Sequence, residues 1–164
     1  MCLQPMYVHI PMSPARQSRK TLRNDARVLV ELCAGCNSRL AARRITQFLD
    51  RELAEAGLTV AQLGLMAQIA VANDDTLGAL AQRTGLDQST LSRNLRTLEA
   101  EGLAEIAVVE TDQRRRMVWL TETGVRRLEA AIPIWRKANA RLAKQVSTDL
   151  ARRLAEQAAL LAQD

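Results

Sequence analysis

The stretch from Leu77 to Ser92, Leu-Gly-Ala-Leu-Ala-Gln-Arg-Thr-Gly-Leu-Asp-Gln-Ser-Thr-Leu-Ser, constrains this 164-residue chain more tightly than any other. Leu77, Leu80 and Ala81 recur at helical spacing and mark the packed face of a short helix. Gly85 permits a sharp turn, and Leu86 plugs its corner. Asp87 is placed to cap a second helix, which buries Leu91, Leu95 and Leu98 and is stopped by Gly102. Two short helices joined in this way make a helix-turn-helix. With the capping Asp87, the second helix exposes Gln88, Ser89, Thr90, Ser92, Arg93, Asn94 and Arg96. Short donors and acceptors plus two arginines on the first turns suit base edges in the major groove of double-stranded DNA. A Ser/Thr/Asn cluster at a helix start is also plain capping chemistry. The pattern alone therefore leaves open a helical hairpin with a solvated polar face.

The residues that follow narrow the choice. Leu103 to Val109 and Met117 to Leu120 are apolar and β-branched at intervals, separated by Glu110-Thr111-Asp112-Gln113-Arg114-Arg115-Arg116. This reads as a β-hairpin with a charged tip, after which Thr121 caps another helix. In Leu80-Ala81, Gly85, Ser89-Thr90-Leu91-Ser92-Arg93, Leu98-Glu99-Ala100-Glu101-Gly102-Leu103, Asp112-Gln113-Arg114-Arg115-Arg116 and Leu120-Thr121-Glu122-Thr123-Gly124, the chain resembles the MarR family of bacterial transcription regulators. The resemblance spans roughly residues 28–160. It implies a two-fold dimer joined by the first and last two helices, with one winged helix in each subunit. It also implies that Arg114 enters the minor groove while Asp112 positions the wing; a narrow groove concentrates negative potential. Arg116 matches a further basic position. For Arg115, a phosphate contact and plain solvation stand level.

The rest of the chain fits a mainly α fold with a small β wing. Residues 1–22 read as an N-terminal arm. From Asn24 or Asp25 to Glu55 there is no proline and one glycine, Gly35, and the apolar spacing predicts a single helix of roughly 30 residues, about 45 Å long. Gly57 ends it and Thr59 opens the next, Val60 to about Ala72, before the turn cluster Asn73-Asp74-Asp75. The helix capped by Thr121 runs to about Gln145, with a kink expected at Pro133. Ser147 or Thr148 caps a last helix carrying Leu150, Leu154, Ala158 and Leu161 on one face. The expected division is a winged helix-turn-helix domain over 57–121 and a helical dimerisation region made of 23–56 and 122–164. A first helix too long for one small core makes a second copy its natural partner.

Composition closes off other classes. Hydrophobic residues at 48% supply a core, whereas aromatics at 2% (Tyr7, Phe48, Trp119, Trp135) leave no platform for stacking bases. One histidine, His9, excludes a multi-histidine metal site, and no nucleophile and acid/base set converges, so an enzyme is not expected. Three cysteines make no disulfide framework. No secretory signal and no run of eighteen apolar residues is visible, which predicts a cytoplasmic protein with no membrane partner. The net charge of +5 permits an anionic partner, yet residues 83–116 carry six arginines against six acids. DNA contact must then rest on a few placed arginines.

Two features point to regulation. Cys33 and Cys36 form C-x-x-C within a predicted apolar helix, where packing, redox sensing or metal binding are all conceivable, the last weakly with so few ligands. Some MarR relatives sense peroxide through a cysteine near this position, although the only tyrosine here is Tyr7. Arg43 or Arg44 falls on the apolar stripe through Leu40 and Phe48, and an inward arginine needs a negative partner: Glu52, Glu55, a solvent edge or an anionic effector. Many MarR relatives bind small aromatic acids or phenols between the dimer helices and the winged domain. On that resemblance Cys36, Leu40, Arg43, Arg44, Leu63, Met66 and Trp135 are the expected pocket walls; the plainer reading of Trp135 is an ordinary core tryptophan. The expected function is a homodimeric regulator on a pseudo-palindromic operator, a repressor released by a small acidic effector, with no cofactor and no metal. The alternative is redox sensing through Cys33 and Cys36.

Overall fold

The computed structural model describes residues 14–72, 76–109 and 112–162, with the side chains of 14–20, 108–109, 112–115 and 162 outside that description. The chain divides into two compact units, 1–44 and 45–164.

In the first unit, helix α1 spans Pro14–Leu32 and α2 (Ala34–Leu53) begins. The single helix expected from Asn24 or Asp25 is thus corrected twice. It starts at Pro14, inside the stretch expected to be an arm, because a proline in the first turn has its φ preset and lacks only an amide that would be unpaired anyway. It is also interrupted at Cys33. The Cys33 amide still bonds to Leu29 O at 2.9 Å, and Cys33 O accepts from the Asn37 amide at 3.0 Å. Two side chains compete for neighbouring backbone groups: Cys33 Sγ accepts from the Cys36 amide at 3.4 Å, and Asn37 Nδ2 donates to Glu31 O at 2.9 Å. Such local bonds, next to Gly35, offer the chain an alternative to the helical ladder. Leu22, Val28, Leu29, Val30 and Leu32 of α1 are all exposed.

In the second unit, the end of α2 buries Leu49 and Leu53 and passes through a 3-10 turn, Ala54–Ala56, to Gly57, whose φ of 65° closes it. Helix α3 (Val60–Ala70) starts with a capping box: Thr59 Oγ1 accepts from the Gln62 amide while Gln62 Oε1 accepts from the Thr59 amide. Asp50 Oδ1 takes the Val60 amide at 2.7 Å and so ties α2 to the start of α3. Then come α4 (Leu77–Thr84), α5 (Gln88–Ala100), strands β1 (Ala104–Val109) and β2 (Asp112–Leu120), α6 (Glu122–Leu142) and α7 (Thr148–Ala159), which continues as a 3-10 turn over Leu160–Ala162. Thr59, Thr76, Asp87, Thr121 and Ser147 cap their helices. Helix α6 runs through Pro133 without interruption. The turn cluster Asn73-Asp74-Asp75 lies outside the described residues.

One core unites this unit. Leu53, Leu58, Leu63, Met66, Leu80, Leu91, Leu95, Leu98, Leu103, Val118, Leu128 and Ala131 pack together. Helix α3 is central and lies against α4, α6 and β2, while α5 packs on β1. The strands are antiparallel, with Ala104 opposite Leu120, Ile106 opposite Val118 and Val108 opposite Arg116, and Thr76 adds a bridge to Met117. Where α2 and α6 end, Arg141 pairs with Glu52 and lies 5.7 Å from the centre of the Phe48 ring. Helix α7 places Leu150 and Leu154 in solvent, and Leu160 and Leu161 of the turn that follows are exposed as well.

The base of the hairpin is the tightest junction. Gly102 ends α5 with φ 67°, Thr121 Oγ1 donates to Gly102 O at 2.6 Å, and the Thr121 amide donates to Leu103 O at 3.1 Å. Gly124, one turn into α6, lies so close that a Cβ there would stand 2.0 Å from Leu103 O. The obstacle is backbone and cannot rotate away. Gly124→Ala is therefore expected to destabilise the second unit by about 3 kcal/mol, the upper end of overpacking costs. Urea denaturation checks this, and an unchanged midpoint would contradict the close approach.

Candidate nucleic-acid interface

Helix α4 ends in the left-handed turn at Gly85, φ 65°, where the Gly85 amide bonds to Ala81 O at 2.9 Å and Thr84 Oγ1 to Leu80 O at 2.8 Å. This turn presents the start of α5. Leu91, Leu95 and Leu98 are buried beneath it. At about 100° per residue, Ser89, Arg93 and Arg96 follow one another along the opposite side. All three are exposed, and among the described residues Arg93 and Arg96 make no ion pair.

Asp87 organises the first turn. Its Oδ1 accepts from Ser89 Oγ at 2.6 Å and from the Thr90 amide at 2.9 Å; its Oδ2 accepts from Thr90 Oγ1 at 2.8 Å. The hydroxyl of Ser89, then the amide and hydroxyl of Thr90, hold this carboxyl well below the usual aspartate range. The carboxylate, with its helix-capping bonds, therefore persists as the pH falls past the point where a free aspartate protonates.

The other predicted residues divide. Gln88 is exposed at the first position of α5. Ser92, Arg96 and Glu99 line a cleft of about 190 Å³ with Ile106, Ala107 and Arg116 of the hairpin, so helix and wing share one arginine-flanked recess. Arg116 is exposed. Asn94 departs from the expected face. It lines a separate cleft with Gln62, Leu65 and Glu101, where Gln62 Nε2 donates to the Glu101 carboxylate at 3.1 Å. The cause is helical phase, which turns Asn94 to the α3 side of α5. On β2, Arg116 pairs with Val108 and Asp112 with Val109, so Gln113, Arg114 and Arg115 occupy the register irregularity at the tip. The side chains of Asp112, Arg114 and Arg115 lie outside the described residues.

The residues expected around an effector fall in both units. Leu63 and Met66 are core, Met66 with no exposed surface. Trp135 is 36% exposed on α6. Cys36, Leu40, Arg43 and Arg44 belong to the first unit and are exposed. Neither candidate for the inward arginine, Arg43 or Arg44, is buried in the single chain; the apolar residues of α2 that are half-buried or buried are Ile45, Phe48, Leu49 and Leu53. Glu52, a candidate partner for it, is held instead by Arg141, a residue the helical spacing did not single out.

At the break before α2, the Cys33 thiol lies below its ordinary range, first through hydrogen bonding from the Cys36 backbone and then from the Cys36 side chain. The Cys36 thiol is raised, first by its bond to Cys33 and then by the neighbouring charge.

Residues 56–115 match the family model described as MarR family. The crystal structure of the M. tuberculosis transcriptional regulator MosR in complex with DNA is 33% identical, covers 80% of this chain and 99% of that one, and superposes with a TM-score of 0.72. The PcaV transcriptional regulator from Streptomyces coelicolor, solved in complex with its natural ligand, has a TM-score of 0.68 over 81% of this chain and 94% of that one; at 18% identity it shows the shared fold alone. The phenylalanine–tRNA ligase alpha subunit of Pyrococcus horikoshii is 38% identical over 69 residues, 42% of this chain. The chain spans only 13% of that relative's length. With the helix-turn-helix, the two-stranded wing and 33% identity to MosR over 80% of this chain, the chain belongs to the MarR family of winged helix-turn-helix transcription regulators.

Proposed function

We propose that this protein is a homodimeric regulator that grips a pseudo-palindromic operator, represses from it, and is released by a small organic acid. The observation that carries the reading is the solvent side of α5, where Ser89, Arg93 and Arg96 stand opposite the buried leucines and beside the hairpin. Arg93 and Arg96 supply planar donor forks for guanine edges or phosphates. Arg114, at the irregular tip of the wing, is assigned to the minor groove, with Asp112 positioning the strand and Arg115 and Arg116 adding positive charge. MosR, solved with DNA, supports this assignment.

The dimer reading rests on apolar surface left in solvent. Leu32 of α1 is 77% exposed and Leu161 is 80% exposed. With Leu22, Val28, Leu29, Leu150 and Leu154 these residues form stripes that a second copy of the chain would cover. Among the described residues no single helix is long and apolar enough to cross a membrane, which suits a protein that meets DNA in the cytoplasm. The effector reading draws on PcaV, solved with its natural ligand, and on Arg43 and Arg44, which make no ion pair among the described residues and are available to a carboxylate. The regulator class of MosR favours a role without catalysis, and a match confined to 13% of the tRNA ligase carries none of that enzyme's activity.

The Cys33–Cys36 geometry favours a second reading, release by oxidation. Cys33, made more acidic by Cys36, would attack a peroxide to give a sulfenic acid and one equivalent of water or alcohol. The Cys36 thiol would then displace water to close a disulfide.

Three outcomes follow. Arg93→Ala is expected to lose about 1–3 kcal/mol of base discrimination, and Arg114→Ala to weaken binding most where the minor groove is narrow; operator titrations at matched salt check both, and full affinity in Arg114→Ala removes the wing from the interface. The unfolding midpoint should rise with protein concentration, and removal of residues 148–164 should give monomers or aggregates in analytical ultracentrifugation. A well-behaved DNA-binding dimer from that truncation would place the interface elsewhere. Finally, aromatic carboxylates should release DNA from wild type and fail on Arg43→Ala with Arg44→Ala. Release by peroxide that disappears in Cys33→Ser, with carboxylates inert, selects the oxidation reading instead.

A further inference from the structure

We propose that Asp87 sets the hydrogen-bond polarity of the reading helix: by taking the hydroxyl proton of Ser89, it leaves Ser89 Oγ able only to accept, so this position selects a base that presents an amino group in the major groove, adenine or cytosine. The proposal rests on the reading of α5 as the DNA-contacting helix.

The chemistry is a matter of counting protons. An ionised carboxylate accepts and cannot donate, and a serine or threonine hydroxyl has a single proton to give. Ser89 Oγ lies 2.6 Å from Asp87 Oδ1 and Thr90 Oγ1 lies 2.8 Å from Asp87 Oδ2, so both hydroxyl protons are committed to the one carboxylate. The Thr90 amide, 2.9 Å from Oδ1, holds that carboxylate in place from a third direction. What the two hydroxyls still offer is lone pairs.

Position selects Ser89 of the two. Thr90 is half-buried at the edge of α5, whereas Ser89 is exposed on the side opposite Leu91, Leu95 and Leu98, one turn before Arg93. In the major groove, adenine N6 and cytosine N4 are the donors, while guanine O6 and N7 and thymine O4 only accept. A free serine would serve either set by rotating its hydroxyl. Here rotation would break a charge-assisted bond. The carboxylate also occupies the first turn of α5, which discourages a backbone phosphate from settling there and leaves that end to a base edge. Arg93 and Arg96 donate only, so α5 reads with one fixed acceptor followed by two fixed donors.

The test starts from wild-type protein and a random duplex library, which yields the preferred site. The position whose preference disappears in Ser89→Ala is the one Ser89 reads, and it should be adenine or cytosine. Replacing that base by purine or 2-pyrimidinone, which lack the amino group, should weaken wild type roughly three- to tenfold, the worth of one neutral hydrogen bond, and leave Ser89→Ala unchanged. Asp87→Asn caps a helix about as well as aspartate, and circular dichroism confirms that it folds. Its amide can donate to Ser89 and free the hydroxyl proton, so guanine or thymine should become acceptable at this one position while the Arg93-dependent position stays as it was. Selection of guanine or thymine by wild type there, indifference to the missing amino group, or an Asp87→Asn profile identical to wild type overturns the inference and leaves the reading of α5 standing. A wild-type chain that enriches no sequence overturns that reading, and this inference with it.

Discussion

The backbone approach of α6 to the end of α5 is the constraint on which the second unit depends. Gly102 turns the chain out of α5, β1 leaves, β2 returns, and Thr121 closes the loop by bonding to Gly102 O and Leu103 O. Gly124 lets α6 come within reach of Leu103, where any side chain would meet the carbonyl. The hairpin is thereby clamped at its base. Leu103 and Val118, one from each side of the junction, are almost wholly buried in the same core as Leu91, Leu95 and Leu98. Helix α5 and the hairpin are thus anchored in one packed core.

Within this frame, charge is used sparingly. The segment proposed to meet DNA is balanced between arginines and acids, and three of its four acids with described side chains are occupied. Asp87 is spent on the first turn of α5, Glu105 accepts from Trp119 Nε1 at 3.1 Å, and Glu101 holds Gln62. Arg93, Arg96 and Arg116 are left without ion pairs among the described residues. A surface of this kind attracts phosphates through a few cations rather than a broad basic field, so more of its discrimination depends on placed donors and acceptors. The exposed apolar stripes of α1 and α7 give a separate reason for association, independent of DNA.

Legibility followed the range of the interaction that decides each feature. Caps, turns and buried faces depend on residues within one or two helical turns, so Thr59, Asp87, Thr121 and Ser147, the glycine turns and the leucine faces were readable directly. The wing was readable in place but not in extent: β2 reaches back to Asp112, because pairing with Val109 across an irregular register extends a strand that polarity alone would end at Met117. The start of α1 at Pro14 was hidden because proline and polar residues in a first turn look like an arm. The break at Cys33 was hidden because it depends on a thiol and an amide side chain reaching backbone groups. Asn94 was grouped with Arg93 by adjacency, although at about 100° per residue it turns away from Ser89 and Arg96 and lines the cleft with Gln62 and Glu101.

The sequence by itself determined the family, the helix-turn-helix and wing, the buried leucine face of α5 and the caps Thr59, Asp87 and Thr121, since local periodicity and capping chemistry need no knowledge of distant partners. Only the tertiary structure decided that Glu52 belongs to Arg141 rather than to Arg43 or Arg44, that Met66 is sealed in the core, and that Ser92, Arg96 and Arg116 share one cleft. Each of these joins residues far apart in the chain, and such pairings are set by how helices pack after they form. The hydroxyl protons of Ser89 and Thr90 lie between the two cases: the motif places Asp87 beside them, and the folded first turn decides which way they point.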